Sequence, residues 1–445
     1  MHPLRRYYRF AVLPAAMVAV AVCAISGSPQ AGAAASIPTP QNVIIMISDG
    51  CGYNQIAVTD LYQYNRLGRQ CYESFPVRVA MSTYSTGSGT TPKGYDPSRA
   101  WSEFGYVKSN ATDSAAAATA MSCGVKTYDA ALGLDPYKNR VKHLMERAEE
   151  VGKSTGVVTT VEFSHATPAG FVAHNESRNN YLAIAQQMLT QSRTDVIMGC
   201  GHPLYTNDAV LGNNETSVKD GQADGHDYQY VGGKAMFDQL AAGTLVASGD
   251  YADADGDGVA DPWTLVESLS QFVALQNAPN PPKRVCGVAR SYTTLHQARS
   301  GDGKAAPYKV KRNSGVPTLA QMTAGALNCL DGDTDGFVLM VEGGAVDWAA
   351  HANQPGRLIE EEIDFNDAVD AVVRWIRKNS SFDETLLIVT GDHETGYLWG
   401  PGSGGPGNNQ PIWNPIAGSG RLQLPGMDWN SGDHTNSLVP LFAAG

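Results

Sequence analysis

The chain has 445 residues, of which 42% are hydrophobic and 17% charged, which supplies apolar material for one large domain or two ordinary ones and excludes a disordered chain. Its net charge of −12 argues against nucleic acid as a partner, because phosphate backbones are held by basic surfaces. An anionic substrate would therefore need a strong local positive centre.

Residues 1–35 read as a signal peptide, with a basic head (Arg5, Arg6, Arg9), an apolar stretch from Phe10 to Ile25 and small residues around Ala31 to Ala35 suited to cleavage. The apolar run is short for a membrane span and ends in an Ala-x-Ala pattern, against a retained anchor. Arg5-Arg6 leaves both the Sec and the twin-arginine routes open. The expected mature chain, 36–445, is secreted or periplasmic and has no membrane span. It keeps Cys51, Cys71, Cys123, Cys200, Cys286 and Cys329. In an oxidising compartment disulfides are expected among them, with no pairing chosen by spacing. The wide spacing argues against a thiolate zinc site.

From "PTPQNVIIMISDGCG" a buried strand is predicted over Asn42–Ser48, running into a Gly-rich turn. "ATDSAAAATAMSCGVKTYDAALG" then places Asp113 and Ser114 at the head of an alanine-rich helix. A helical pattern follows in "RVKHLMERAEEVGK", a strand in "STGVVTTVEF" and another in "TDVIMGCG". Residues from about 201 to 334 are more polar and Gly/Asp-rich and read largely as an insertion. Beyond them come the strand "GFVLMVEGG", the helix "RLIEEEIDFNDAVDAVVRWIRKN", the strand "ETLLIVTGDH" and the turn "SGDHTNS". Continuous apolar strands alternating with helices predict an α/β fold, a mostly parallel central sheet with helices on both faces. Ligands bind such sheets beyond the carboxyl ends of the strands.

Those strand ends carry metal-ligand residue types: Asp49 after the first, Glu342 after "FVLMV", and Asp392 and His393 after "TLLIVTG". Asp347 and His351 in "DWAAH" are four apart, hence on one helical face, and His434 lies in the Gly/Ser turn. Singly, an Asp after a strand is a helix cap and a lone His a surface or core residue; their joint placement favours metal. A mixed Asp/His set suits zinc, and carboxylate and hydroxyl oxygens suit magnesium. Converging carboxylates without cations would repel one another. Ser114 would sit where unpaired N–H groups and the helix dipole favour an anion. The alternative is that Asp113 or Ser114 only caps the helix. Beside a divalent cation, a serine alkoxide becomes accessible.

Together these motifs, with "EFSHATPAGFVAHNESRNNY" and "DHTNS", resemble the alkaline phosphatases in order and over nearly the whole mature chain. The resemblance implies hydrolysis of phosphate monoesters at a site with two zinc ions and one magnesium, with Ser114 as the phosphorylated nucleophile. Asp347, His351 and His434 would hold the first zinc. Asp49, Asp392 and His393 would hold the second, which also meets Ser114. Asp49, Thr167 and Glu342 would hold magnesium. Arg178, in "NESRNNY", would clamp the substrate phosphate, with Asp113 orienting it. Broad monoesterase activity follows, because recognition falls mainly on the phosphoryl group. The resemblance is compatible with a homodimer and implies further C-terminal structure after the His434 motif, whereas this sequence stops at Gly445.

Two positions depart from the best-known bacterial pattern: His165, near the magnesium site, stands where that pattern has Asp, and Trp348, near the phosphate, where it has Lys. "DGDTDGFVLMVE" fits a calcium loop residue by residue, but Phe337 to Val341 read as a buried strand and no helix pair flanks them. The acidic loop with Asp253, Asp255 and Asp257 is the better calcium candidate. Two other functions are alternatives: a secreted calcium-binding protein with a vestigial catalytic site, and a phosphodiesterase or sulfatase of the same superfamily. A sulfatase would need Cys/Ser-x-Pro-x-Arg at the nucleophile, which "DSAAAA" lacks.

Overall fold

The computed structural model describes residues 39–212, 226–405 and 411–445, so the signal peptide read at 1–35 lies outside the described residues. In chain order, β1 (Asn42–Ser48), α1 (Tyr53–Tyr64), β2 (Val77–Met81), α2 (Pro97–Ser102), α3 (Ser114–Cys123) and α4 (Leu144–Glu149) come first. They are followed by β3 (Ser154–Glu162), α5 (Ala166–Val172), α6 (Tyr181–Thr190), β4 (Val196–Cys200), α7 (Lys234–Ala241), β5 (Thr264–Val266), α8 (Leu269–Leu275), β6 (Val285–Val288) and α9 (Leu319–Leu330). Next come β7 (Phe337–Gly343), α10 (Ala345–His351), α11 (Pro355–Asn379) and β8 (Thr385–Thr390). The short strands β9 (Glu394–Thr395), β10 (Leu398–Trp399), β11 (Asp428–Trp429) and β12 (His434–Thr435) precede β13 (Val439–Ala444).

One sheet has the order β2-β13-β8-β1-β7-β3-β4-β6-β5. Its pairings are parallel except those of β13, which is antiparallel to β2 and β8. Side chains alternate across a strand, so β1 feeds two cores. Ile44 and Met46 pack with Leu61 of α1, Met322 of α9 and Leu358 of α11. Ile45 and Ile47 pack with Ala118 of α3, Phe171 of α5 and Met188 of α6. The α/β architecture is the one expected.

The alanine run has a packing reason. Helix α3 lies so close to α5 that a Cβ at Gly170 would stand 2.7 Å from the Ala118 Cβ, and larger side chains would force the helices apart. "RVKHLMERAEEVGK" is helical only over Leu144–Glu149, because the His143 ring accepts from Glu146 N as an N-cap and Gly152 takes a φ of +84°. Within 201–334, the apolar runs at β5 and β6 extend the central sheet, although the Gly/Asp-rich composition of that segment suggested an addition to the core. The expected disulfides do not form: all six described cysteines are free thiols. Cys51, Cys200 and Cys286 serve as small hydrophobes in the cores. Phe337 to Val341 form part of β7, as the rejection of a calcium loop there required.

Candidate active site

Strand register brings the acidic residues together. Glu342 on β7 pairs with Ile47 of β1 and with Thr159 of β3, so the three share one face, and Asp49, two residues past Ile47, continues it. Thr159 Oγ1 donates to Glu342. Thr167, in the first turn of α5, approaches from the helix layer, its Oγ1 3.4 Å from Asp49 Oδ2. Asp392 and His393 follow β8; Asp392 Oδ1 accepts from Gly50 N at 3.0 Å and from His393 N at 2.8 Å. His393 Nε2 then lies 3.1 Å from Asp392 Oδ2 and 3.5 Å from Asp49 Oδ1.

On the other side, Asp347 and His351 share a face of α10, with Asp347 Oδ2 3.4 Å from His351 Nε2. His434 pairs with Thr395 across β12 and β9, which sets its ring on His393 with centroids 3.7 Å apart and its Nε2 3.5 Å from Asp347 Oδ1. His351 Nδ1 faces Gly432 O at 2.6 Å, and His434 Nδ1 faces Thr112 O at 2.9 Å. A carbonyl can only accept, so each Nδ1 carries a proton, and each Nε2 is turned to the carboxylates.

Ser114 is the first residue of α3 and Asp113 is its N-cap. Ser114 Oγ lies 3.2 Å from His393 Nε2. Asp113 Oδ1 accepts from Ala116 N and Ala130 N, both at 3.0 Å, while Oδ2 accepts from Arg178 Nη1 at 3.1 Å. Arg178 Nη2 stands 3.0 Å from His165 Nε2. The His165 ring also meets the Trp348 ring edge-on, with centroids 5.7 Å apart.

Burial, then the neighbouring Asp392, Asp347 and Glu342 charges, pushes Asp49 well above the usual carboxylate range. Burial also raises Glu342 to about 7 and Asp392 to about 6. His393 is held well below the usual histidine range by burial and then by His434, His351 and Arg178. His165 is held down by burial and then by Arg178. Asp49 Oδ1, Glu342 Oε1 and Asp392 Oδ2 are buried without a hydrogen-bond donor. Unpaired carboxylate oxygens beside neutral imidazoles are a donor set that fits divalent cations. Ligand atoms fall into three close groups: Asp347, His393 and His434; Asp49, Asp392 and His393; and Asp49, His165 and Glu342.

All of this opens on a cleft of about 890 Å³ lined by Ser114, His165, Arg178, Asp347, Trp348, His351 and His434. Lys108, Asn110, Gln297 and Asp433 line it too, and nothing in the sequence pattern singled them out. Thr159 and Thr395 were also missed. Thr395 Oγ1 donates to Asp347 Oδ1 at 2.5 Å, and its place in "TGDHETG" was the available signal. In the acidic loop, Asp253, Asp255 and Asp261 draw together, while Lys283 pairs with Asp255 and lies 3.6 Å from Asp257.

A family model described as alkaline phosphatase matches residues 40–244 and 301–421. The chain belongs to the alkaline phosphatase family. Alkaline phosphatase 3 of Bacillus subtilis is 32% identical over 356 residues, which are 80% of this chain and 61% of that protein. The alkaline phosphatase of Escherichia coli is 28% identical over 433 residues, covering 91% of this chain and 81% of that protein. The structure of alkaline phosphatase from the Antarctic bacterium TAB5 matches with a TM-score of 0.59 at 26% identity, covering 92% of each chain. A His-to-Asp mutant of that protein has magnesium bound in its M3 site. The chain spans 61% and 50% of the lengths of the Bacillus subtilis alkaline phosphatases 3 and 4. The family match encloses Ser114, Arg178 and the candidate zinc and magnesium ligands except His434; Gln297, Asp433 and the acidic loop at 253–261 also lie outside it.

Proposed function

We propose that this chain hydrolyses phosphate monoesters as an exported alkaline phosphatase, through a covalent phosphoserine at Ser114, with two zinc ions and one magnesium ion. The observation that carries this reading is the position of Ser114 Oγ, at a helix N-terminus, 3.2 Å from His393 Nε2 and in one cleft with Arg178. Asp347, His351 and His434 would hold the first zinc; Asp49, Asp392, His393 and Ser114 the second; Asp49, Thr167 and Glu342 the magnesium, with His165 just outside. When bound, such cations lower the pKa of a hydroxyl and offset negative charge on phosphoryl and leaving oxygens.

The chain's own residues supply the rest. Arg178 offers two N–H groups to two phosphoryl oxygens, held in place by Asp113 on one side and His165 on the other. The free N–H groups of the first turn of α3 face the same anion. Ser114 loses its hydroxyl proton to solvent, and its Oγ forms a bond to phosphorus as the ester P–O bond breaks and the alcohol leaves with a proton from solvent. Water then attacks the phosphoserine, the Ser114 Oγ–P bond breaks, and inorganic phosphate departs. Export rests on the signal-peptide reading; among the described residues no helix is long and apolar enough to cross a membrane.

The test compares rates on a phosphomonoester, a phosphodiester and a sulfate ester, before and after chelation and with zinc plus magnesium restored. The monoester should be fastest, and chelation should abolish its turnover. Ser114→Ala should fold and keep its metals but lose most activity. Near-normal turnover in that variant, or full activity in protein shown to be metal-free, would refute the mechanism.

A further inference from the structure

Outside the catalytic cleft, His143, Glu146 and His174 bring three ligand atoms within 4.8 Å of one another. His143 is the N-cap of α4, Glu146 lies in its first turn, and His174 follows the C-cap of α5. Glu146 Oε2 stands 3.6 Å from His143 Nδ1 and 3.4 Å from His174 Nε2. For tetrahedral zinc with bonds of about 2.0–2.1 Å, neighbouring ligand atoms lie about 3.3–3.4 Å apart. The spacing is thus close to two edges of such a tetrahedron.

We propose that His143, Glu146 and His174 form a further cation site, suited to zinc or a similar transition metal that favours nitrogen and carboxylate ligands. The outer surroundings support it. Arg140 Nη2 donates to Glu146 Oε1 at 3.0 Å, fixing the carboxylate while Oε2 faces the two rings. Both imidazoles are buried, their side chains 3% and 6% exposed. Two cap contacts involve the ligand atoms: His143 Nδ1 accepts from Glu146 N at 3.3 Å, the long end of the range, which binding would exchange, and Glu146 Oε2 accepts from His143 N at 3.2 Å, which leaves that oxygen a second lone pair for a cation. His174 and Arg140 also line an open cavity of about 270 Å³, which gives an ion a path and a water a place as fourth ligand.

The site would tie the start of α4 to the end of α5. Since α5 carries Thr167 and packs on α3, the bound ion would stabilise the scaffold under Ser114 without touching substrate. The inference does not depend on the proposed reaction.

Purified full-length protein is equilibrated with excess zinc, freed of unbound metal, and its zinc content measured beside His174→Gln and Glu146→Gln. The wild type should hold one more equivalent per chain than either variant, and added zinc should raise its thermal midpoint more than theirs. Because both residues lie outside the catalytic cleft, hydrolysis by the variants should stay within about twofold of the wild type, which also shows that they fold. Equal zinc content in all three proteins would overturn the site and leave His143 as a helix cap.

Discussion

Asp113 does two separable things, and a pair of substitutions divides them. Its Oδ1 accepts from Ala116 N and Ala130 N, and its Oδ2 from Arg178 Nη1. Asp113→Ala removes all three contacts. Loss of an N-cap costs about 1 kcal/mol, the stranded Ala130 N–H adds about 1 kcal/mol and the lost Arg178 pair about 1 kcal/mol, so unfolding should become easier by about 3 kcal/mol in all. Asp113→Asn keeps an amide oxygen for the two N–H groups and remains a good cap, so stability should fall only by the Arg178 pair, about 1 kcal/mol. It does, however, turn an NH2 toward Arg178, which has no lone pair to receive it. The Arg178–Asp113 pair is 17% and 20% exposed, so solvent screening trims its worth to about 1 kcal/mol, or about fivefold in affinity. Inhibition by inorganic phosphate reads the contact with Arg178, and the denaturant midpoint reads mainly the cap. In Asp113→Asn the phosphate inhibition constant should rise about fivefold with only a small fall in midpoint; in Asp113→Ala the constant should rise similarly and the midpoint fall about three times as far. An unchanged inhibition constant in Asp113→Asn would show that Asp113 does not orient Arg178.

Three further outcomes follow from particular contacts. His165→Asp adds a carboxylate beside Asp49 and Glu342 and should raise magnesium affinity, since a hard cation prefers anionic oxygen to imidazole nitrogen; superimposable magnesium titrations at fixed zinc would mean that His165 does not set the preference. Lys283 acts as the counter-ion of Asp255, so millimolar calcium should raise the thermal midpoint of Lys283→Met more than that of the wild type, and equal shifts would refute that role. Glu361 is pushed up to about 8 by burial, with Arg312 opposing and Asp364 and Glu360 adding, and neither of its carboxylate oxygens has a hydrogen-bond partner. The folded state therefore holds its proton more tightly than the unfolded chain, and this stability, complete below pH about 4.3, is lost as pH rises toward 8, with an upper bound of about 5 kcal/mol. Glu361→Gln should be more stable than the wild type at pH 9 relative to pH 5 by denaturant midpoint, and an equal difference at both pH values would contradict the reasoning.

What the sequence determined by itself was local. Apolar runs such as "NVIIMIS" specify strands because both faces of a parallel sheet are buried, and a carboxylate directly after each run must stand at the strand's carboxyl end. The spacing of Asp347 and His351 likewise puts both on one face of α10. Distance along the chain hid the rest. The strand β13 was not among the predicted elements; although Pro440 lies within it, it pairs antiparallel with both β2 and β8. Only the packed sheet decides that His393 Nε2 lies near Asp49, Asp392 and Ser114 together, or that His393 joins Asp347 and His434 in one ligand group. Gln297 and Lys108 reach the cleft from distant segments with no motif of their own. The cysteines stay reduced because packing places them as separate core or partly buried side chains, which their number could not reveal. Periodicity states which face a residue presents, because that is a property of one element. Which residues meet across those faces depends on strand register and helix packing, and these are settled only when elements hundreds of residues apart exclude water from a common core.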